Sequence, residues 1–257
     1  MMALTLVTLE HRPVLADHET REPEKTATFS IVAVDPATGI CGAAVASKYP
    51  AVGKAVPYVR AGVGAFCTQH YHVPEWGEHV LDLLETGKRP EEVFLSLLQD
   101  DRDAELRQLG IVDIQGRTAV HNPTAADDRS DYFGAMTGKH YAVQGNTLTG
   151  RAVIVAMAGA YEDTQGSLTD RLMAALLAGD CAGGDHRGRL AAGIRVAKPD
   201  VEGDWFSLHV DSSDDAVVEL AQKYVDSTHE AKGAWRGGQL PFEHPCEQRA
   251  APKAPTP

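Results

Sequence analysis

Residues 28–33 read Thr-Phe-Ser-Ile-Val-Ala and residues 41–47 read Cys-Gly-Ala-Ala-Val-Ala-Ser, with Asp35-Pro36 between them. The first stretch predicts a buried strand that opens on a hydroxyl residue, and Asp35-Pro36 predicts a turn. The small residues of the second stretch predict a strand that lies beside the first. Such a pair is typical of an enzyme whose nucleophile opens a strand and whose own α-amine is the base. Residues 1–27 precede Thr28, so that amine is free only if they are removed.

The composition indicates an ordinary globular protein rather than a membrane or nucleic-acid-binding one. The chain has 257 residues, 43% hydrophobic and 23% charged, and a net charge of −12. This charge disfavours nucleic acid and anionic membranes as partners. No apolar run approaches the ~18 to 20 residues that a membrane helix needs. The apolar N-terminal patch follows no basic region and is interrupted at Glu10, so we expect no secretory signal.

The four cysteines, Cys41, Cys67, Cys181 and Cys246, lie far apart without C-x-x-C spacing. This spacing indicates neither a zinc ribbon nor a disulfide framework. Cys41 and Cys67 lie in apolar, strand-like runs, where we expect each to be a small buried hydrophobe. The cysteine pattern and the lack of a signal predict a cytoplasmic protein.

Strand and helix signals follow one another along the whole central part of the chain. Strands are predicted over residues 28–34, 40–47, 56–60, 63–69, 109–113, 117–122, 141–146, 191–196 and 205–210. Helices are predicted over residues 76–87, 90–98, 151–162, 168–178 and 214–226. Ser167 and Asp170 form a predicted capping box before the fourth of these helices, and residues 124–130 are predicted to be a loop.

This order of elements decides the expected architecture. Two consecutive helices cannot each be a crossover between parallel strands, so a doubly wound sheet fits poorly. We expect an α+β fold, a four-layer αββα sandwich of two mostly antiparallel sheets flanked by helices. Its boundaries are predicted at residues 26–228, after a leader or flexible extension over residues 1–25. Residues 229–257, which contain several prolines, are predicted to be a disordered tail.

Four segments in the same order resemble a bacterial family of domains of unknown function, numbered ten twenty-eight, which is assigned an Ntn-hydrolase-like fold. They are residues 28–33 with 44–47, 60–65 with Thr68-Gln69, 141–146, and 182–185 with 187–189. The resemblance implies that fold and an N-terminal threonine nucleophile at Thr28. The chain departs from the family pattern in two places. Residues 1–27 mask the threonine amine, and Leu190-Ala191 replace the usual glutamine and serine.

Candidate catalytic residues are assigned by the chemistry of an acyl transfer. Thr28 would attack an amide carbonyl while its α-amine accepts the hydroxyl proton. Ser30 lies two positions on and faces the same way, so it would orient the amine or line the pocket. Asn146, helped by a backbone N–H near Gly145, would stabilise the oxyanion. The alternative for Asn146 is a turn residue after glycine.

Candidate substrate-binding residues lie in the other segments of the resemblance. Asp185 and Arg187 would form a buried ion pair, or Arg187 would hold a substrate carboxylate. Further pocket candidates are Ser47, Thr68, Gln69 and His70.

The histidines leave a metal site open as an alternative. His70 and His72 are alternate residues of a predicted strand, and His79 follows seven positions later. Such an H-x-H pair permits a metal site, although no complete ligand motif accompanies it.

The expected activity is that of an amidohydrolase that cleaves a small non-peptide or short peptide-like C–N bond through Thr28. The alternatives are a metal-assisted hydrolase that uses His70 and His72, and a non-catalytic ligand-binding member of the fold. We expect a small-molecule substrate, no cofactor, no metal in the main hypothesis, and a homodimer.

Overall fold

The structure, a computed structural model, describes residues 25–26, 28–124, 132–227 and 240. Its strands are β1 (Lys25–Thr26), β2 (Thr28–Asp35), β3 (Ile40–Ser47), β4 (Pro57–Arg60), β5 (Gly64–Tyr71), β6 (Arg107–Asp113), β7 (Thr118–His121), β8 (Gly134–Gly138), β9 (Tyr141–Gly145), β10 (Ala191–Ala197) and β11 (Phe206–Val210). Its helices are α1 (Val52–Ala55), α2 (Trp76–Glu85), α3 (Pro90–Leu98), α4 (Arg151–Asp163), α5 (Leu168–Cys181) and α6 (Ala216–Asp226), with a 3-10 turn at Ala104–Leu106.

The strands form two antiparallel sheets. The larger sheet has the order β11-β10-β3-β2-β9-β8 over the described residues. The smaller has the order β1-β5-β6-β7, with β4 also paired to β5. β2 is a central strand of the larger sheet, where Thr28 opposes Ser47 of β3 and Phe29 opposes Gly145 of β9.

The alternation of side chains along β2 sets the order of the layers. Phe29 and Ile31 pack with the buried residues of α4, α5 and α6. Val32 and Val34 face the other way and pack against residues of β5 and β6, between the two sheets. The outer face of the smaller sheet packs against α2 and α3. The layers are therefore helices, larger sheet, smaller sheet and helices, which is consistent with the expected sandwich.

Most predicted elements are confirmed, with shifts of one or two residues at many ends. Four described elements were not predicted: β1, α1, β8 and the 3-10 turn at Ala104–Leu106. The capping box at Ser167 is present, since Ser167 Oγ accepts a hydrogen bond from the backbone N–H of Asp170 at 3.2 Å. The predicted leader and tail lie outside the described residues apart from Lys25 and Leu240, and so does the predicted loop apart from Thr124.

The short helix α1 rests directly on the backbone of β10. A Cβ atom added to Gly53 would lie 2.7 Å from the Cα atom of Gly193, and one added to Gly193 would lie 2.5 Å from the Cα atom of Gly53. Real Cβ atoms do not approach so closely, so this contact requires both glycines.

Cys41 and Cys67 are buried free thiols, as predicted. Burial raises the pKa of each thiol to about 12. Cys181, the last residue of α5, is disulfide-bonded, which the spacing of the cysteines did not indicate. Within the part of the chain that the structure describes, no helix has the length and apolar character to cross a bilayer.

Candidate functional site

Three predicted site residues meet at one edge of the larger sheet. Thr28 is the first residue of β2, Ser47 is the last residue of β3, and Asn146 directly follows β9. Because neighbouring strands are antiparallel, the start of β2 lies beside the ends of the other two. Thr28 Oγ1 donates a hydrogen bond to Ser47 Oγ at 3.2 Å, and the backbone N–H of Asn146 donates to the Thr28 carbonyl at 3.0 Å. All three side chains are fully buried.

Four buried amide side chains, Gln69, Gln108, Gln144 and Asn146, form a layer beside Thr28 that we call the amide cluster. Gln69 Nε2 donates to Gln108 Oε1 at 2.7 Å and lies 3.3 Å from the Thr28 carbonyl oxygen. Asn146 Nδ2 donates to the same Gln108 oxygen at 2.8 Å. Gln108 Nε2 in turn donates to the Gly145 carbonyl at 2.8 Å. Gln108 therefore joins the two sheets and holds Asn146 in place.

Ser30 belongs to the same network. Its hydroxyl donates to Gln69 Oε1 at 2.6 Å and accepts from Gln144 Nε2 at 2.7 Å. These hydrogen bonds connect the Ser30 side chain to the amide cluster. Among the described residues, no hydrogen-bond donor reaches the buried oxygen Gln144 Oε1.

Local sequence explains how β6 and β9 accommodate the cluster. Gly110 of β6 faces Gln144, and a Cβ atom there would lie 2.0 Å from Gln144 Oε1. The glycine therefore makes the space that the glutamine side chain fills. Sequence reasoning missed Gln108 and Gln144; the available signal was a glutamine within or next to a predicted apolar strand.

The glycine-rich segment that contains Asp185 closes the same edge of the sheet. Leu190 N donates to the Ser47 carbonyl at 2.8 Å, and His186 N donates to the Thr147 carbonyl at 3.0 Å. The fully buried carboxylate of Asp185 accepts from Arg187 Nη2 at 3.0 Å and from the Lys48 backbone N–H at 3.4 Å. Asp185 and Arg187 thus form the ion pair that was one of their two predicted roles.

Thr68 and His70 of β5 and the nearby His72 contact main-chain groups. Thr68 Oγ1 accepts from the Val73 backbone N–H at 3.2 Å. His70 Nδ1 lies 2.7 Å from the Leu106 carbonyl, whereas His72 Nε2 lies 3.0 Å from the Ala55 carbonyl. The two rings therefore bind different carbonyl groups. No group of three or more potential metal ligands occurs among the described residues.

The arrangement determines what could activate the Thr28 hydroxyl. Its described side-chain partner is the Ser47 hydroxyl, and a hydroxyl is a weak base at neutral pH. In the full chain the Thr28 nitrogen is a peptide nitrogen and cannot accept a proton. A chain that begins at Thr28 would instead have an amine within the same residue.

The family model described as a family of unknown function, DUF1028, matches residues 28–220. The chain belongs to this family. The DUF1028 match begins at Thr28 and includes every candidate residue through Arg187. The chain is also similar to a solved structure, the crystal structure of protein SPO2555 from Silicibacter pomeroyi, which matches the DUF1028 family model. The two chains are 30% identical with a TM-score of 0.70, over 79% of this chain and 89% of that one. No curated protein matches the chain.

Proposed function

We propose that this DUF1028 domain is an Ntn-hydrolase-like amidohydrolase, active once Thr28 is the first residue. The observation that carries the proposal is the position of Thr28. Thr28 is the first residue of a central strand. Its buried hydroxyl contacts Ser47 Oγ at 3.2 Å and lies beside the amide cluster. The start of the family match at this residue also supports the proposal.

The proposed reaction has two steps. Thr28 Oγ1 attacks the carbonyl carbon of the substrate amide, and its proton passes to the Thr28 α-amine. The tetrahedral intermediate collapses, the C–N bond breaks, and the leaving amine takes that proton. Water then attacks the Thr28 ester with the α-amine as base, which releases a carboxylic acid and restores the threonine.

Asn146 suits the oxyanion role because its amide group has two hydrogens. One of them is directed at Gln108 Oε1, which leaves the second for the developing negative charge. We therefore assign Gln108 as a positioning residue. Since Thr28 and its neighbours are fully buried, we expect the acyl group of the substrate to be small.

The experiment compares the full chain with a chain that starts at Thr28, its first residue verified by intact mass. Both are screened with small amides and dipeptide-like amides that release ammonia or a fluorescent amine. We expect turnover by the Thr28-start protein and an acyl adduct on Thr28 in rapidly quenched samples. Thr28→Ala should reduce turnover at least about a thousandfold, while Thr28→Ser retains a measurable part of it. Unchanged turnover in Thr28→Ala, or a Thr28-start protein inert towards all the amides, would refute the proposal.

A non-catalytic ligand-binding role is the second candidate, and it is favoured by the peptide-bonded nitrogen of Thr28 in the full chain. A ligand that raises the melting temperature of both proteins and is converted by neither would support it. The cytoplasmic location and the homodimer also remain predictions, and sedimentation of the purified protein would test the latter.

A further inference from the structure

A second site candidate lies at the opposite end of β2. Asp35, the last residue of this strand, lines a cavity of about 300 Å³ together with Thr38, Ile40, Leu168, Arg171 and Trp205. Thr28 and Asp35 are seven residues apart, and a strand rises ~3.3 Å per residue, so roughly 23 Å separates the two sites. The cavity is therefore separate from the Thr28 site.

The Arg171 guanidinium is fixed in orientation by groups that do not neutralise its charge. Its Nε donates to the Tyr161 carbonyl at 3.0 Å, and its Cζ lies 3.9 Å from the centre of the Tyr161 ring. Stacking and a main-chain acceptor hold the planar group without a counter-charge. Among the described residues, neither terminal Nη group has a hydrogen-bond partner, so both remain for a further acceptor.

Arg171 differs in this respect from other arginines of the fold. Ion pairs with carboxylates are formed by Arg60, Arg107, Arg117, Arg187, Arg189 and Arg195. Within the described ranges, no carboxylate lies within ion-pair distance of Arg171. The cavity therefore contains a pre-oriented bidentate donor for an anion.

The nearby carboxylate of Asp35 is engaged by its own turn. Its oxygens accept from the Ala37 backbone N–H at 3.0 Å and from Thr38 Oγ1 at 2.7 Å. The other walls include Ile40, Leu168 and the ring of Trp205. An apolar wall with one fixed cation is suited to an amphipathic anion rather than to a fully hydrated one such as sulfate.

We propose that this cavity binds a small carboxylic acid with an apolar body. The carboxylate accepts two hydrogen bonds from the Nη groups of Arg171, and the apolar body packs against Ile40, Leu168 and Trp205. The cavity volume equals that of about ten water molecules, which limits the ligand to roughly the size of phenylacetate. The site is independent of the proposed hydrolase activity.

Phenylacetate and its neutral isostere phenylacetamide test the proposal, each titrated into the full chain by calorimetry. We expect phenylacetate to bind at least about tenfold more tightly than phenylacetamide, as a charge-assisted hydrogen bond predicts. Arg171→Met should remove this preference. Arg195→Met is the matched control, because its guanidinium is already bound by Asp204 and the Pro57 carbonyl, and it should leave phenylacetate binding unchanged.

Thr38→Trp provides a test that keeps Arg171. Thr38 is exposed at the cavity, so a large side chain there should block phenylacetate. Thr38→Ala, which loses the same hydrogen bond to Asp35 without filling the cavity, is its control and should still bind phenylacetate. The proposal is overturned if phenylacetate does not bind, if the amide binds equally well, or if Arg171→Met and Thr38→Trp both bind phenylacetate like the wild type. Thr28→Ala should bind it normally, which separates this site from the hydrolase proposal.

Discussion

Gln108 connects more polar groups than any other member of the amide cluster. Its oxygen accepts from Gln69 and Asn146, and its nitrogen donates to the Gly145 carbonyl and to Asn122 Oδ1. Each orphaned group in a buried polar network costs about 1–3 kcal/mol.

We therefore expect Gln108→Leu to lower the free energy of unfolding by at least about 3 kcal/mol, because it orphans several buried groups at once. Urea unfolding followed by circular dichroism measures the change. Gln222→Leu, at an exposed position of α6, is the control and should stay within about 0.5 kcal/mol. Equal effects of the two substitutions would contradict the role of Gln108 in the network.

The Asp101–Arg107 pair lies at the start of β6 and is shielded from solvent. Arg107 Nε donates to Asp101 Oδ2 at 2.7 Å, and the two side chains are 8% and 12% exposed, respectively. The hydrogen bond from Arg107 lowers the pKa of Asp101 below its ordinary value. The pKa of Asp101 is lower in the folded state than in the unfolded state. The pair therefore stabilises the protein at pH values above the unfolded-state pKa, and this stabilisation is lost as the pH falls through the folded-state pKa.

Asp101→Asn should cost about 2 kcal/mol near neutral pH, the range of a hydrogen bond to a charged group. The difference between wild type and variant should shrink as the pH is lowered below about 4. Urea midpoints across this pH range test both statements. Asp103→Asn is the matched control, since its carboxylate is 52% exposed and lies 3.5 Å from the same arginine; a pH-independent gap for Asp101→Asn would refute the linkage.

The sequence predicted some of these residues and missed others for a physical reason. Thr28, Ser30 and Asn146 could be found because strand ends and alternation place them on one face. Gln108 and Gln144 carried only the signal of a glutamine in or beside an apolar strand, and their roles depend on two sheets meeting face to face. Which residues meet across that interface depends on sheet packing, which periodicity within one strand does not encode. The fixed arginine at position 171 was missed because its orientation depends on the packing of α5 against α4, where its partner Tyr161 lies.

At the scale of the elements, the start of α5 is an example of a helix end that the neighbouring residues of the sequence determine. Ser167 Oγ accepts from the Asp170 backbone N–H, and Asp170 Oδ2 accepts from the Ser167 N–H at 2.9 Å. The same carboxylate accepts from the Tyr224 hydroxyl of α6 through Oδ1, at 2.5 Å. A capping motif recognised from sequence thus also joins two helices.

Ser167→Ala should lower stability by about 1 kcal/mol, the usual cost of losing a helix N-cap. Ser207→Ala, at an exposed position of β11, should change it by less than about 0.5 kcal/mol. Chemical denaturation gives both values, and a neutral Ser167→Ala would show that the cap is dispensable.

Elements of ordinary length were predicted well because α3 and α5 have clear helix-start signals, whereas β2 and β3 are apolar runs separated by a turn signal. α1 spans four residues and is too short to show a helical period. β8 reads Gly-Ala-Met-Thr-Gly, and its glycines disfavour a strand although it pairs with β9 along its whole length. Contacts with distant parts of the chain therefore determine the secondary structure of these two segments.

At the scale of the whole molecule, the layer between the sheets contains one free thiol from each sheet. Cys41 lies on β3 and Cys67 on β5, and both are fully buried. Burial raises both pKa values to about 12. A reagent can therefore reach either thiolate only when the sheets separate.

We expect iodoacetamide at about pH 8 to leave both thiols unmodified in the native protein and to modify both in urea, where their pKa returns to about 8.5. Peptide mass spectrometry identifies the labelled positions across a urea series. Both should become reactive at the same denaturant concentration as the loss of circular dichroism. Labelling of one thiol well before the other would show that the sheets do not unfold as a unit.

The backbone contact between α1 and β10 links two distant positions of the chain. Each glycine packs against the Cα atom of the other. Because glycine is already the smallest residue, a side chain added at one position cannot be accommodated by a smaller residue at the other. Across descendants of this protein, Gly53 and Gly193 should therefore persist as a pair or be lost together with the helix. This would be an inherited constraint independent of any catalytic role.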